Sequence, residues 1–179
     1  MGIVSSDCQK EKHAMSRILI TNFHPIGGGG HVPYIEALTK IADYSNHIVA
    51  VACPERSRLY RYLTDKNYPN LYPCDFPAKV HKELPSIIRN IAKFRNIVEH
   101  FKPDIVHTNG SDLFVSLWSY GFSNKFKIVR THHAIKHISD DVYHRYIYNK
   151  RTVANIYVSE TACQLSISKE LIPNNRDLI

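Results

Sequence analysis

The chain has few cysteines and no long apolar run, and both features restrict the classes of protein to which it can belong. Its 179 residues include four scattered cysteines and no C-x-x-C pair: Cys8, Cys53, Cys74 and Cys163. That pattern argues against a zinc knuckle and a disulfide framework, and is typical of a reducing compartment. No apolar run approaches the roughly 18–20 residues of a membrane span, and residues 1–16 do not resemble a secretory signal. We therefore expect a cytoplasmic location.

Acidic residues are outnumbered by basic ones. Lysine and arginine total 23 against 16 aspartates and glutamates, which gives a net charge of +7 and a pI near 9.2. A basic balance favours anionic partners, such as phosphates or an acidic membrane surface. We expect no nucleic-acid partner, because a DNA reader normally shows a denser stripe of cations. The cations predicted to hold the protein against an anionic membrane are Arg56, Arg58, Arg61, Arg89, Lys93 and Arg95.

Glycine is scarce as well, but its distribution is uneven. Four of the seven glycines stand together, directly before His31: Gly27, Gly28, Gly29 and Gly30. The run separates an apolar segment, 18–23, from a helical pattern that starts at Val32. A glycine-rich turn between a strand and a helix brings bare backbone to the helix N-terminus, where N–H groups and the helix dipole attract phosphate. The run is therefore a predicted substrate-binding segment.

Short apolar, β-branched runs alternate with longer helical patterns along the chain. The strand candidates are residues 17–23, 47–52, 70–74, 104–108, 127–131 and 155–159. The helix candidates are residues 32–44, 55–66, 83–101, 111–120, 139–152 and 160–170. This alternation is typical of βαβ units. We predict an α/β, Rossmann-like three-layer sandwich with a parallel sheet of about six or seven strands, which suits a single domain of this length.

Unusual polar residues follow several of these strands. They are His24 after the first candidate, His107 and Asn109 at the end of the fourth, His132 and His133 after the fifth, and Ser159 and Glu160 at the end of the sixth. Ligands of an open parallel sheet bind beyond the carboxyl ends of its strands. These positions are therefore predicted to line one crevice. Because side chains alternate along a strand, only one of His132 and His133 can face it.

Familiar nucleotide and metal motifs do not fit. A G-x-G-x-x-G fingerprint starting at Gly27 would have Val32 in place of its third glycine, and no Gly-Lys-Ser/Thr follows the run as a P-loop requires. The sequence contains no H-E-x-x-H pair. We expect neither a metal nor a cofactor.

Five segments, taken in order, resemble the N-terminal domain of retaining, GT-B-fold glycosyltransferases of glycosyltransferase family 4. They are residues 17–31, 102–107, 128–133, 157–160 and 172–177. The last is similar to the family's I-P-N-G-x-D, with Asn175 in place of the glycine.

The resemblance implies two Rossmann-like domains facing each other across a cleft. The first domain binds the acceptor and places its glycine loop near the donor diphosphate, and the second binds most of the nucleotide-sugar. We accordingly expect a flexible tail at 1–16, an acceptor-side domain at 17–179, and a donor-binding domain absent from this chain. The implied reaction transfers a hexose from a nucleoside-diphosphate sugar to a cell-surface glycan or glycolipid, in the cytoplasm or at the inner membrane as a peripheral protein. The chain alone is expected to be inactive.

The resemblance also suggests which residues act. It implies that His133 contacts sugar, so this is the predicted catalytic residue. The predicted substrate-binding residues are Gly27, Gly28, Gly29, Gly30, His31, His107, Asn109 and Glu160. Two alternatives stay open: a sugar-nucleotide epimerase that uses carboxylates and histidines in the same cleft, and a non-catalytic module that binds a nucleotide or a protein.

Overall fold

The computed structural model describes residues 15–27, 29–42, 44–77, 80–110, 125–133, 142–146 and 150–168. These residues form one six-stranded sheet that is parallel throughout. Its strands are β1 (Arg17–Thr21), β2 (Ile48–Cys53), β3 (Leu71–Pro73), β4 (Ile105–Thr108), β5 (Lys127–His132) and β6 (Thr152–Tyr157). The helices are α1 (His31–Ala42), α2 (Arg58–Asp65), α3 (Val80–Phe101), α4 (Val142–Tyr146) and α5 (Glu160–Ser168). The predicted α/β, Rossmann-like class is confirmed.

The strand order determines where a ligand can bind. Along the sheet the strands run β3-β2-β1-β4-β5-β6. The chain builds outward from β1 through β2 to β3, then crosses back to place β4 on the other side of β1. The neighbouring carboxyl ends of β1 and β4 therefore form a topological switch point, where doubly wound sheets leave a crevice.

Each face of the sheet has its own core, because side chains alternate along the strands. On one face, Ile20 of β1 and Val51 of β2 pack with residues of α1 and α2, including Ile35 and Leu59. The other core contains Leu19, Ala50, Ala52, Phe94, Phe101 and Val106, from β1, β2, α3 and β4. Burial of β1 and β2 from both sides explains their nearly continuous apolar sequences.

The last part of the chain departs from the sequence prediction. Strand β6 starts at Thr152, three residues before the predicted start and inside the predicted helix 139–152. Among the described residues of that span, 142–146 is α-helical, and 150–151 forms a π-helical turn directly before the strand. The segment Thr152-Val153 is β-branched and suits a strand, and the β5–β6 register shifts between Ile128 and Val129. The predicted helix 111–120 and most of the predicted tail lie outside the described residues.

None of the helices in the described part of the chain is both long and apolar enough to cross a membrane.

Candidate functional site

Three imidazole rings meet where β1 and β5 end. The centroids of the His31 and His133 rings are 3.8 Å apart, and those of His24 and His31 are 4.4 Å apart. His24 follows β1, His31 is the first residue of α1, and His133 follows β5. We call these three rings the imidazole stack. Residues separated by more than 100 positions in sequence are therefore brought into direct contact at the switch point.

Two larger rings flank the imidazole stack. The centroid of the Phe23 ring lies 4.1 Å from that of His24. The Tyr34 and His133 rings meet edge to face, with their centroids 5.1 Å apart. The Phe23 ring also presses against Gly110, where an added Cβ would come within 2.3 Å of Phe23 Cε1. Gly110 is thus the residue that leaves room for Phe23 beside the stack.

Asn109 holds His133 in one orientation. The Asn109 Nδ2 group donates to the carbonyl of Thr21 at 2.8 Å, which turns Asn109 Oδ1 toward His133 Nε2, 3.0 Å away. An amide oxygen can only accept, so this hydrogen-bond network assigns the proton of neutral His133 to Nε2. Nδ1 of His133 then carries the lone pair and can accept a hydrogen bond from a ligand.

A second polar layer supports these rings from beneath. Thr131 Oγ1 lies 2.7 Å from His107 Nε2 and 3.2 Å from Tyr34 Oη. His107 is buried, with 7% of its surface exposed. In this conformation His107 contacts Thr131, and through Thr131 it is linked to Tyr34.

His132 lies on the opposite face of β5. It is 6% exposed, stacks on Tyr157 with ring centroids 4.7 Å apart, and pairs its Nε2 with Asn155 Oδ1 at 3.1 Å. The two adjacent histidines thus point to opposite sides, as the alternation along a strand predicts.

The glycine run opens onto solvent next to the imidazole stack. Gly27, Gly29 and Gly30 are exposed, and a Cβ added to any of them would meet no atom within 4 Å. Gly29 has a φ of +47°, a backbone conformation that residues with a side chain rarely adopt. The carbonyl of Gly30 accepts from Tyr34 N at 3.3 Å and so begins α1. The run leaves bare backbone at a helix N-terminus, as predicted; Gly28 lies outside the described residues.

Burial keeps these histidines neutral. It lowers the pKa of His31 to about 4, with further contributions from the neighbouring His133 and His24 rings. Burial likewise lowers the pKa of His107 to about 4 and that of His132 to about 3. The pKa values of His24 and His133 are also lowered, mainly by burial. Near pH 7 the site therefore offers neutral imidazole donors and acceptors and no histidine cations.

The remaining predicted site residue stands apart. Glu160 is exposed at the start of α5, at the same edge of the sheet. Among the described residues it makes no hydrogen bond or ring contact with the imidazole stack. His31, His133 and Asn109, in contrast, are brought together.

The site also contains residues that sequence reasoning missed. Tyr34 lies three positions after His31, a spacing that puts two residues on one face of a helix, so helical spacing could have found it. The contact of Phe23 with Gly110 joins the ends of two strands, and only the strand order could reveal it. Within the described residues, no group of three or more His, Cys, Asp or Glu side chains could hold a metal ion.

Comparison with known proteins identifies a family whose sequence model matches most of the chain. A family model described as Glycosyltransferase Family 4 matches residues 28–176. No curated protein matches the chain significantly in sequence.

Solved structures match the fold over most of the chain. Sucrose-phosphate synthase from Thermosynechococcus elongatus matches with a TM-score of 0.61 and 14% identity, over 92% of this chain and 47% of that one. MurG from Acinetobacter baumannii matches with a TM-score of 0.55 and 12% identity, over 82% and 42%. A UDP-GlcNAc 2-epimerase from Neisseria meningitidis, bound to UDP-GlcNAc, matches with a TM-score of 0.57 and 15% identity, over 91% and 45%. The chain spans less than half the length of these structures, and at such identities the likeness shows the fold.

Proposed function

The chain belongs to Glycosyltransferase Family 4 and has the fold of a GT-B N-terminal domain, and on this premise we propose that it forms the acceptor-side half of a sugar transferase. The complete enzyme would move a hexose from a nucleoside-diphosphate sugar to a glycan or glycolipid. A second, donor-binding domain would close the other side of the cleft.

One observation carries this proposal: open glycine backbone and an ordered imidazole lie side by side at the switch point. Gly27, Gly29 and Gly30 leave space for an anion at the start of α1, where backbone N–H groups have no intrahelical partner. His133 stands next to them through its contact with His31 and is oriented by Asn109. Diphosphate and sugar are linked in the donor, so a site for both must offer these two features within a few ångströms.

The proposed chemistry needs positioning and charge stabilisation from this domain. N–H groups at the start of α1 would balance the charge that develops on the departing diphosphate. His133 Nδ1 would accept from a hydroxyl of the donor sugar or the acceptor and so orient it, which lowers the entropic part of the barrier. Substrate contact by Glu160 stays a proposal, and it would require an acceptor that reaches the start of α5.

A sugar-nucleotide epimerase is the second candidate, because such an enzyme shares the fold. Moving a proton to and from a sugar carbon requires a general base, and carboxylates commonly serve. Among the described residues, the ring and hydrogen-bond partners of the imidazole stack are aromatic rings and the Asn109 amide, and none is a carboxylate. This composition favours transfer over epimerisation.

Ligand binding separates an active-site domain from a non-catalytic module. We expect UDP-glucose to bind the chain with a Kd of roughly millimolar, because one wall of a cleft covers little of the ligand. We expect no specific binding of NAD. The measurement is a titration of ¹⁵N-labelled chain by NMR, with shifts expected at residues 27–31 and 133. Stronger binding of NAD than of UDP-glucose would favour the module.

A substitution in the glycine run tests where the ligand sits. Gly30→Val adds a Cβ that would meet no protein atom within 4 Å. We expect a loss of about 1 kcal/mol in stability at most, because valine caps a helix less well than glycine, and at least a tenfold weaker affinity for UDP-glucose, equivalent to one lost charged hydrogen bond. Ala92→Val, on the exposed face of α3, is the matched control and should bind like the wild type. Wild-type affinity in the Gly30 variant would show that the run serves only as a turn.

A membrane surface is a proposed partner of the complete enzyme, and the structure divides the predicted cations into two groups. Arg56, Arg58 and Arg61 belong to the α2 region, whereas Arg89, Lys93 and Arg95 lie on α3, which packs on the opposite face of the sheet. One flat membrane cannot engage both groups fully. The α3 group is the better candidate, because Leu84 and Ile88 are 51% and 60% exposed beside it, and apolar residues flanked by cations suit an anionic interface.

Vesicle co-sedimentation tests this surface. We expect the chain to bind vesicles of mixed phosphatidylserine and phosphatidylcholine, and binding to fall steeply with salt, since each cation contributes about 1 kcal/mol at low ionic strength. Combined Arg89→Gln and Lys93→Gln should weaken binding more than combined Arg56→Gln and Arg58→Gln. Equal binding to neutral vesicles would contradict the proposal.

A further inference from the structure

Two rings of the imidazole stack bury a nitrogen without giving it a partner. Among the described residues, Nε2 of His24 and Nδ1 of His31 are buried and accept or donate no hydrogen bond. Both rings are only partly buried overall, and their other nitrogens, Nδ1 of His24 and Nε2 of His31, are not among the buried nitrogens that lack a partner. Each ring therefore has one nitrogen facing the protein and one facing the site.

This arrangement favours one tautomer for each ring. A neutral imidazole carries its proton on one nitrogen only. Buried N–H groups without an acceptor are rarer and costlier in proteins than buried acceptors with unused capacity. At His31 the positive end of α1 adds to this preference, because it favours a lone pair over an N–H on the nitrogen near the backbone. The protons of both rings then sit on the solvent-facing nitrogens.

His133 shows the opposite pattern. Its Nε2 proton is engaged by Asn109 Oδ1, 3.0 Å away, and its Nδ1 keeps the lone pair. Its centroid lies 3.8 Å from that of His31, so the ring that carries the acceptor is in contact with a ring that carries a donor. The imidazole stack consequently offers two donors and one acceptor, side by side.

We propose that His24 and His31 bind the donor diphosphate as neutral hydrogen-bond donors, through His24 Nδ1–H and His31 Nε2–H, while His133 Nδ1 accepts from an adjacent sugar hydroxyl. The inference rests on the proposed function and deepens it, because it adds His24 to the site and gives each ring a defined role. It also assigns the order of the ligand across the site, with phosphate toward α1 and the hydroxyl toward β5.

The surroundings of the stack keep these donors neutral. Burial is the main cause of the lowered pKa of all three rings. The neighbouring His133 and His24 rings lower the pKa of His31 further. No carboxylate of the described residues contributes to lowering or raising their pKa values. The titratable groups that face the stack from neighbouring elements are Tyr34 of α1 and His107 of β4.

Nitrogen NMR of the chain tests the tautomers without any ligand. In ¹⁵N-edited spectra of the histidine rings at pH 7.5, we expect the less common Nδ1–H form for His24 and the Nε2–H form for His31 and His133. Addition of sulfate, an anion that does not titrate near neutrality, should shift Nδ1 of His24 and Nε2 of His31. The reverse tautomers, or no shift with either sulfate or UDP-glucose, would overturn the inference.

Amide substitutions test the donors one atom at a time. A glutamine amide places its NH₂ near the position of Nε2, and an asparagine amide near Nδ1. His31→Gln should therefore retain most of the affinity for UDP-glucose, and His31→Leu should lose about tenfold. At His24 the order reverses, with Asn retaining more affinity than Gln. Equal losses for all four variants would assign the rings a purely structural role and overturn the proposal.

The pH dependence separates neutral donors from cations. UDP-glucose has no phosphate that titrates near neutrality, so neutral donors predict a constant Kd from pH 6.0 to 8.5. Cationic rings would instead weaken binding about tenfold per pH unit on the basic side, which would overturn the inference. If the tautomers and the sulfate shifts are as expected but UDP-glucose does not bind, the proposed function fails while the anion site stands. If UDP-glucose binds to the opposite tautomers, the function stands and this inference fails.

Discussion

The two sides of β5 place adjacent histidines in contrasting surroundings. Behind the strand, His132 is stacked on Tyr157, paired with Asn155 and almost completely buried. In front of it, His133 is partly exposed, and its ring touches His31 and Tyr34. Both rings use Nε2 toward an asparagine oxygen. The two histidines therefore differ in burial. His132, the rear ring, is buried in the fold, whereas His133, the front ring, is partly exposed.

Replacement of the rear ring should have the largest effect on stability. His132→Ala leaves a cavity beside Tyr157 and an unpaired Asn155 Oδ1, so we expect a loss of about 3 kcal/mol in the free energy of unfolding. His133→Ala should cost less than about 1 kcal/mol, because water can reach the vacated space. Urea denaturation of both variants is the measurement. A larger loss at position 133 would reverse the comparison.

Turnover should show the opposite order. In the complete enzyme we expect His133→Ala to lower the rate on the order of 100-fold, comparable to removal of one oriented transition-state contact. His132→Ala, assayed below its melting temperature, should keep most of the activity. Initial rates with saturating donor are the measurement, and unchanged turnover in the His133 variant would mean that the front face is not the active site.

Two glycines extend the comparison to backbone. Gly110→Ala should destabilise the fold by about 1–3 kcal/mol, because its Cβ would come within 2.3 Å of the Phe23 ring. Gly27→Ala, with open space around it, should change stability by less than about 0.5 kcal/mol. Combining Gly110→Ala with Phe23→Leu should recover part of the loss, since the clash is between these two residues. Additive losses in the double variant would contradict the assigned contact.

Acid should destabilise the protein through its buried neutral histidines. The pKa of His107 is lowered to about 4 and that of His132 to about 3, below the usual 6.5. On acidification the unfolded state takes up protons first, so each residue's contribution is present above pH 6.5 and is lost as the pH falls toward 4 or 3.

The size of that loss can be measured for one residue. Each buried histidine should account for about 1.4 kcal/mol per pH unit within this window. Denaturation of wild type and His132→Gln at pH 7.5, 6.0 and 5.0 should show a slope lower by about one proton in the variant. Parallel slopes would indicate that His132 titrates in the folded protein as it does in the unfolded chain, and would contradict the lowered pKa.

The sequence by itself determined the order of the strands, the sheet type and the position of the glycine run between β1 and α1. These features depend on local causes: β-branched apolar runs form strands covered on both faces, and clustered glycine leaves backbone bare before a helix. It also determined that His132 and His133 face opposite ways, because alternation is a property of a single strand. The start of β6 was misplaced by three residues, since strand ends depend on pairing with β5 as well as on local composition.

The tertiary structure alone decided which residues meet. Three contacts depend on β4 lying between β1 and β5. The His31 ring contacts both His24 and His133, Asn109 orients His133 through Thr21, and Gly110 makes room for Phe23. His107 shows most clearly what the sequence cannot predict. Its position at the end of a strand predicts a ligand contact, but the structure buries its ring against Thr131. Exposure and partner choice come from packing between distant segments, which no local pattern encodes.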